Sequence, residues 1–250
     1  MQKIVYKIIP QSSLILSPRS TVAFYGDAKG FEITASKIES KLLCLDKLRV
    51  IYPFYRYGEY LEYLPEKAEY YIPGSSIKGA LWKKENVFQI MVDDIEVPRT
   101  GIALRNLYKG QYLGTDKKKF AVFFENVGVE MLKAGKELKG ELYLKEKSSM
   151  EEIIKETNKQ AKKKIKNMLE HIVNLKEEIT NEELLKTLKE IQGNLQEIQA
   201  KNNIIFLGGY KGLLHSIDVK QESLKKIKSA LFIDRETMLP HGIVKIMYER

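Results

Sequence analysis

The sequence predicts an α+β protein: a strand-rich sheet region carrying a helical-hairpin insertion. Two observations predict this. Between Ser148 and Asn203 apolar residues recur at helical spacing in two successive stretches. On both sides of that segment, short runs of alternating or β-branched apolar residues read as strands, with one short helix among them. Strands mixed with few helices indicate an α+β sheet domain. The chain divides accordingly. Residues 1–147 form a sheet region, 148–203 the hairpin insertion, and 204–250 a glycine-rich loop and C-terminal strands that complete the fold.

The elements follow in order. Lys3–Ile9 and Gly30–Ile38 carry strand patterns, and Ser76–Lys84 reads as a helix after a loop. Phe88–Val92, Lys119–Val127 and Glu137–Lys145 are further strands. The first hairpin helix has its apolar stripe at Ile153, Ile154, Thr157, Ala161, Ile165, Met168, Leu169, Ile172 and Val173. The second has Leu184, Leu185, Leu188, Ile191, Leu195 and Ile198, and the two join near Glu177–Asn181. Ser148 with Glu151, and Thr180 with Glu183, fit capping boxes, and Glu151–Lys155 is a supporting i,i+4 pair. Such a hairpin serves either as a partner-docking arm or as an insertion packed on its own domain, the second being the commoner. Ile204–Leu207 is a short strand, and Ile243–Tyr248 is the last one.

The 250 residues are 44% hydrophobic, enough for a core, and carry a net charge of +9 with pI about 9.2. An anionic partner fits that balance. The charge is uneven: Ser148–Asn203 holds ten lysines and ten glutamates, so the excess lies outside the hairpin. Nucleic acid is therefore expected on the remainder. The single cysteine, Cys44, excludes an intramolecular disulfide and a cysteine metal site, and its apolar neighbours suit a buried role. No apolar run is long enough to span a membrane and the N-terminus lacks an apolar leader, so a cytoplasmic protein is expected.

Residues 72–80 read Ile-Pro-Gly-Ser-Ser-Ile-Lys-Gly-Ala. Pro73 and Gly74 suggest a turn, and Ser75 or Ser76 a helix cap, with Lys78 in the first turn and Lys83 beyond. A helix N-terminus with nearby lysines is a plausible phosphate cradle, although a capped helix with a solvated lysine is the commoner outcome. The order Lys78-Gly79-Ala80 is not that of a Walker A loop, so nucleotide hydrolysis gains no support. A second constellation is Gly208-Gly209-Tyr210-Lys211-Gly212, where glycines permit positive φ and close backbone approach beside a cation. Asp93 and Asp94 are adjacent and read as a strand exit rather than a metal site. Arg99 and Arg105 beyond them are candidates for phosphate contacts. Lys162–Lys164 could touch RNA, but a solvated face is commoner.

Seven tyrosines fall between Tyr52 and Tyr71, interleaved with Arg56 and Lys67. This suits base stacking or a protein interface, and equally a loop packed on its own domain. His171 reads as structural or solvent-facing. His215 and His241 are the candidates for general acid–base chemistry. The chain lacks the HD motif of a metal-dependent nuclease and the Gly-Gly-Asp-Asp of a cyclase. No cofactor or metal is expected.

The nine residues Ile72–Ala80 resemble the signature of the RAMP superfamily, the RNA-binding subunits of CRISPR effector complexes. The loop at Gly208–Gly212 is similar to the glycine-rich loop those proteins carry near the C-terminus. The resemblance implies a ferredoxin-like, RNA-recognition-motif-type fold. A helical stretch followed by such a loop is most similar to the subunit at the crRNA 3′ end of the type III-A (Csm) complex, with the corresponding Cmr-type subunit the nearest competitor. It implies a non-catalytic crRNA-binding subunit of a type III ribonucleoprotein in antiviral defence. Such a subunit caps the backbone filament and helps define crRNA length. The RNA-binding residues it implies are Gly74, Ser75, Ser76, Lys78, Gly79, Lys83, Arg99, Arg105, Gly208, Gly209, Lys211 and Gly212. Its partners would be crRNA and neighbouring RAMP subunits, with target RNA and host ribonucleases left open. Asp27 is the only aspartate before Asp46, and its surroundings do not match the target-cutting loop of the backbone subunits. The alternatives are a crRNA-processing endoribonuclease using His215 or His241, and a protein-only scaffold subunit.

Overall fold

A computed structural model describes residues 1–18, 22–26, 48–81, 90–111, 119–145, 149–209 and 231–249. The expected strand at 30–38, Cys44 and Asp27 lie outside the described residues, as do Lys83, Lys211, Gly212 and His215.

The architecture is α+β. Its main sheet has the order β12-β15-β1-β11-β5 and is antiparallel throughout. These strands are β1 (Gln2–Pro10), β5 (Ile90–Val92), β11 (Leu138–Leu144), β12 (Ile204–Phe206) and β15 (Ile243–Tyr248). Both ends of the chain thus meet at the sheet centre. β1 alternates as expected: Ile4, Tyr6 and Ile8 are buried, while Lys3 and Lys7 on the other face pair with Glu141 at 2.6 Å and Glu137 at 2.8 Å.

Shorter strands build three further sheets. One joins β2 (Phe24–Tyr25), β3 (Val50–Tyr52), β10 (Val127–Leu132) and β7 (Ile102–Arg105), with β3 and β10 parallel. A second joins β14 (Leu239–Pro240), β13 (Phe232–Asp234), β8 (Leu107–Gln111) and β9 (Lys119–Phe123). The third is the pair β4 (Tyr70–Ile72) and β6 (Ile95–Val97). The run expected as one strand over 119–127 is broken after Phe123, because Phe124 adopts φ 59° and a turn closes from Val127 N–H to Phe124 C=O at 3.0 Å.

Three helices complete the described residues: α1 (Gly74–Ala80), α2 (Met150–Glu177) and α3 (Glu182–Ala200). α2 and α3 are the expected hairpin, turning at 178–181. Their caps sit one residue later than the capping boxes suggested. Ser149 accepts the N–H of Glu152, and Asn181, not Thr180, accepts that of Leu184 at 2.9 Å. In the second case the stronger capping residue wins. Val173 of the predicted stripe is exposed and Leu169 only partly buried.

The hairpin does not stand apart from the sheets. Ile165, Ile172, Leu188 and Leu195 share one core with Ile204, Phe206, Ile233 and Ile243. Met150, Ile153 and Ile154 belong to the main core with Tyr6, Ile8, Ile77 and Leu142. Strand β12 lies between the two cores. Ile204 and Phe206 face the hairpin side, and Ile205 with the following Leu207 faces the other. Burial on both faces explains why the run Ile204–Leu207 is apolar without alternation.

Candidate functional site

The signature residues and the glycine-rich loop meet in space. A cleft of about 600 Å³ is lined by Ser76, Gly79 and Ala80 of α1, by Leu81 just after it, and by Gly208 and Gly209 after β12. The segment Ile15–Ser17 after β1 and the α2 residues Thr157, Gln160, Ala161 and Lys164 close its other sides. Tyr55 contributes a ring. α2 is held against β12 by the side chain of Asn158, which accepts the N–H of Ile204 at 2.9 Å.

Two backbone cradles anticipated from sequence are used by the protein itself. α1 begins at Gly74, not Ser76, with Pro73 as its extended N-cap residue and no serine capping it. The Gly74 N–H donates to the carboxylate of Asp94 at 2.7 Å. Asp94 sits in the turn between β5 and β6 and also accepts the Tyr57 hydroxyl at 3.3 Å. A carboxylate at that N-terminus takes the place a phosphate would need. Gly74 is glycine for a packing reason, since a Cβ there would stand 2.0 Å from the Val92 carbonyl oxygen. Gly208 likewise adopts φ 90°, with a notional Cβ 2.7 Å from the Ile15 carbonyl oxygen. The Gly209 N–H donates to that same oxygen at 2.7 Å. The glycines therefore let the loop clasp the Ile15 segment and shape the cleft wall.

Gly79 differs. Among the described residues a Cβ there would meet nothing within 4 Å, so none of them demands glycine, and Gly79 lines the cleft. Lys78 is exposed but does not line the cleft, and Ser75 is exposed beside it. Among the described residues the cation that does line it is Lys164, from a run whose solvation was the commoner expectation.

Arg99 and Arg105 are not brought to the cleft. Arg99 lies exposed in a 3-10 turn, Arg99–Gly101, and donates to the Glu66 carbonyl. Arg105 on β7 is 4% exposed, 2.5 Å from Glu236 and 3.6 Å from Asp234. Its expected phosphate contact is corrected: its buried charge is committed to the buried carboxylate of Asp234 and the partly exposed one of Glu236.

Asp234 also accepts the Ser13 N–H at 2.8 Å and the Thr237 hydroxyl at 3.0 Å. Ser13 Oγ lies 2.9 Å from His241 Nδ1. His241 is 1% exposed, so it is closed off from a substrate, and His171 is buried on α2. An endonuclease reading would thus fall to His215, outside the described residues.

Burial pushes the His241 pKa down to about 4, against the opposing pull of Asp234. The unfolded chain takes up a proton near pH 6.5, whereas the folded chain does so only near 4. Stability is therefore expected to fall as pH drops through that window, by at most about 3 kcal/mol. Urea unfolding at stepped pH should show this slope, flattened in His241→Asn. Equal slopes in both proteins would show that His241 does not cause it.

The tyrosine cluster divides. Tyr63 and Tyr70 donate their hydroxyls to Glu130 at 3.1 and 2.6 Å, and the Phe54 N–H completes the set at 2.9 Å. Burial raises the pKa of Glu130, while these donors oppose the rise. Arg56 lies over the rings of Phe24 and Tyr60. These residues are internal scaffolding. Tyr57 and Tyr71 stack at 4.1 Å and 9° next to Asp94, and Tyr57 is exposed. Glu130 was not anticipated; its signal is a lone charge within the apolar run 127–132.

Among the described residues no group of His, Cys, Asp and Glu could hold a metal ion, and no helix is long and apolar enough to cross a membrane.

No protein-family model matches the chain, and no curated protein matches it. Among solved structures, it is similar to a chain in a cryo-EM structure of a Csm–crRNA–target RNA ternary complex of a type III-A CRISPR-Cas system. The TM-score is 0.42 at 11% identity, over 81% of this chain and 56% of that one. The chain thus spans little more than half the length of the one it matches. A TM-score that low, at that identity, does not make the two chains members of one family.

Proposed function

We propose that this chain is a crRNA-holding subunit of a type III CRISPR effector complex. It does not cut RNA; it sits at the crRNA 3′ end, caps the backbone filament and helps define crRNA length. One observation carries the reading. The signature-like run Ile72–Ala80 and the glycine loop, far apart in sequence, line a single cleft, and none of the described residues gives Gly79 a packing reason to be glycine.

In this reading the cleft holds the RNA backbone by side chains rather than by free N–H groups. Ser76 and Gln160 offer hydrogen bonds, Lys164 offers charge, and Tyr55 offers a ring. The test is binding of the purified chain to crRNA-like single-stranded RNA across a salt series, with the gels also read for cleavage. Affinity is expected to fall with salt and the RNA to stay intact. Lys164→Ala should weaken binding and reduce the log–log salt slope by about 0.7. Metal-independent cleavage would replace the reading with an endoribonuclease. A chain without RNA affinity would leave the protein-only scaffold.

A further inference from the structure

Away from the cleft, rings and cations gather on the sheet of β8, β9 and β13. Phe123 and Phe232 meet edge to face, 5.6 Å apart at 82°. Both pack on a small core of Ile15, Leu107, Val129 and Met131. Lys109 pairs with Ala121 and Phe232 in the ladders, which puts it on the same sheet face as Phe123. Its Nζ lies 4.2 Å from the Phe123 centroid and 5.3 Å from that of Phe232.

Phe124 extends the row outward. Its centroid is 4.1 Å from that of Phe123, and it is 61% exposed. It also adopts φ 59°, a conformation that a bulky residue rarely takes. The ring belongs to none of the cores that the described residues form. Strain together with exposure points to use outside the fold. The flanking strands β8 and β9 contain Lys109 and Lys119 and no acidic residue.

We propose that Phe124, Phe123 and Lys109 form a stacking platform for the bases of single-stranded RNA. The inference rests on the RNA-holding reading above and adds a second contact zone to it. Ring faces accept any base, while Lys109 and Lys119 serve neighbouring phosphates, so the contact is tolerant of sequence. Ile15 links the two zones through the interior, since it lines the cleft and belongs to the core beneath Phe123 and Phe232. The cations on its strands favour nucleic acid over an apolar protein surface.

The test uses oligouridylate carrying 2-aminopurine at successive positions, whose fluorescence is quenched on stacking. The wild-type chain should bind it and quench some positions. Phe124→Ala should weaken binding roughly tenfold and abolish that quenching, with an unchanged melting curve because the ring is exposed. Phe124→Trp should restore both. If wild type binds and Phe124→Ala keeps the same affinity and quenching, the platform is wrong and the cleft reading stands. If wild type does not bind RNA at all, both are overturned.

Discussion

Arg105→Ala is expected to destabilise the protein by about 3–5 kcal/mol, the cost of leaving a buried charge without its partner. Arg105 is 4% exposed and Asp234 2%. Removing the guanidinium leaves the Asp234 carboxylate with the N–H groups of Ser13 and Glu236 and the Thr237 hydroxyl, all neutral donors. Glu236 is 40% exposed and recovers its solvation from water, so it adds little to the loss. The damage should spread, because Asp234 fixes the segment after β1 through Ser13, and that segment continues into the cleft wall at Ile15. For a chain of this length the loss corresponds to a fall in Tm on the order of 10 °C. Denaturant unfolding measures it directly. An RNA-contact role predicts the reverse pattern, with stability kept and affinity lost. A variant as stable as wild type but with weaker RNA binding would return Arg105 to the surface role its sequence suggested.

Arg105 shows why part of the site was illegible in the sequence. An arginine in a short strand of a basic protein looks like a surface cation. Its acidic partners lie far along the chain, Asp234 at the end of β13 and Glu236 in the turn after it. Long-range pairing leaves no local pattern. Glu130, gathering two tyrosine hydroxyls and a backbone N–H from 54–70, is another instance. The hairpin was legible because its stripe repeats over many turns, whereas β3, β5, β6 and β12 have three residues each, too few to show a period.

The glycines illustrate a different limit. Gly74 and Gly208 do mark places of close backbone approach. The approaching groups, however, are the carbonyls of Val92 and Ile15, not a ligand. A glycine reports that something comes near, and sequence alone does not say whether it is another molecule or the chain itself. Asp94 makes the same point, since its carboxylate occupies the helix start that looked open to phosphate.

Gly79 escapes that ambiguity and gives the sharpest test of function. It sits in the last turn of α1, at the edge of the cleft, with none of the described residues within 4 Å of where a Cβ would be. Gly79→Ala should therefore fold normally and gain up to about 1 kcal/mol from helix propensity. Gly79→Glu should be no less stable than wild type, yet bring a carboxylate to the strand's path. Like-charge repulsion with phosphate and the lost space should lower RNA affinity on the order of tenfold or more. The alanine variant should lose much less. The contrast between two stably folded variants separates binding from folding, which no change at Gly74 or Gly208 could do. The measurements are thermal melts and RNA titrations on both. If Gly79→Glu binds as tightly as wild type, RNA does not pass through this cleft. The meeting of the two motifs there would then be a matter of packing alone.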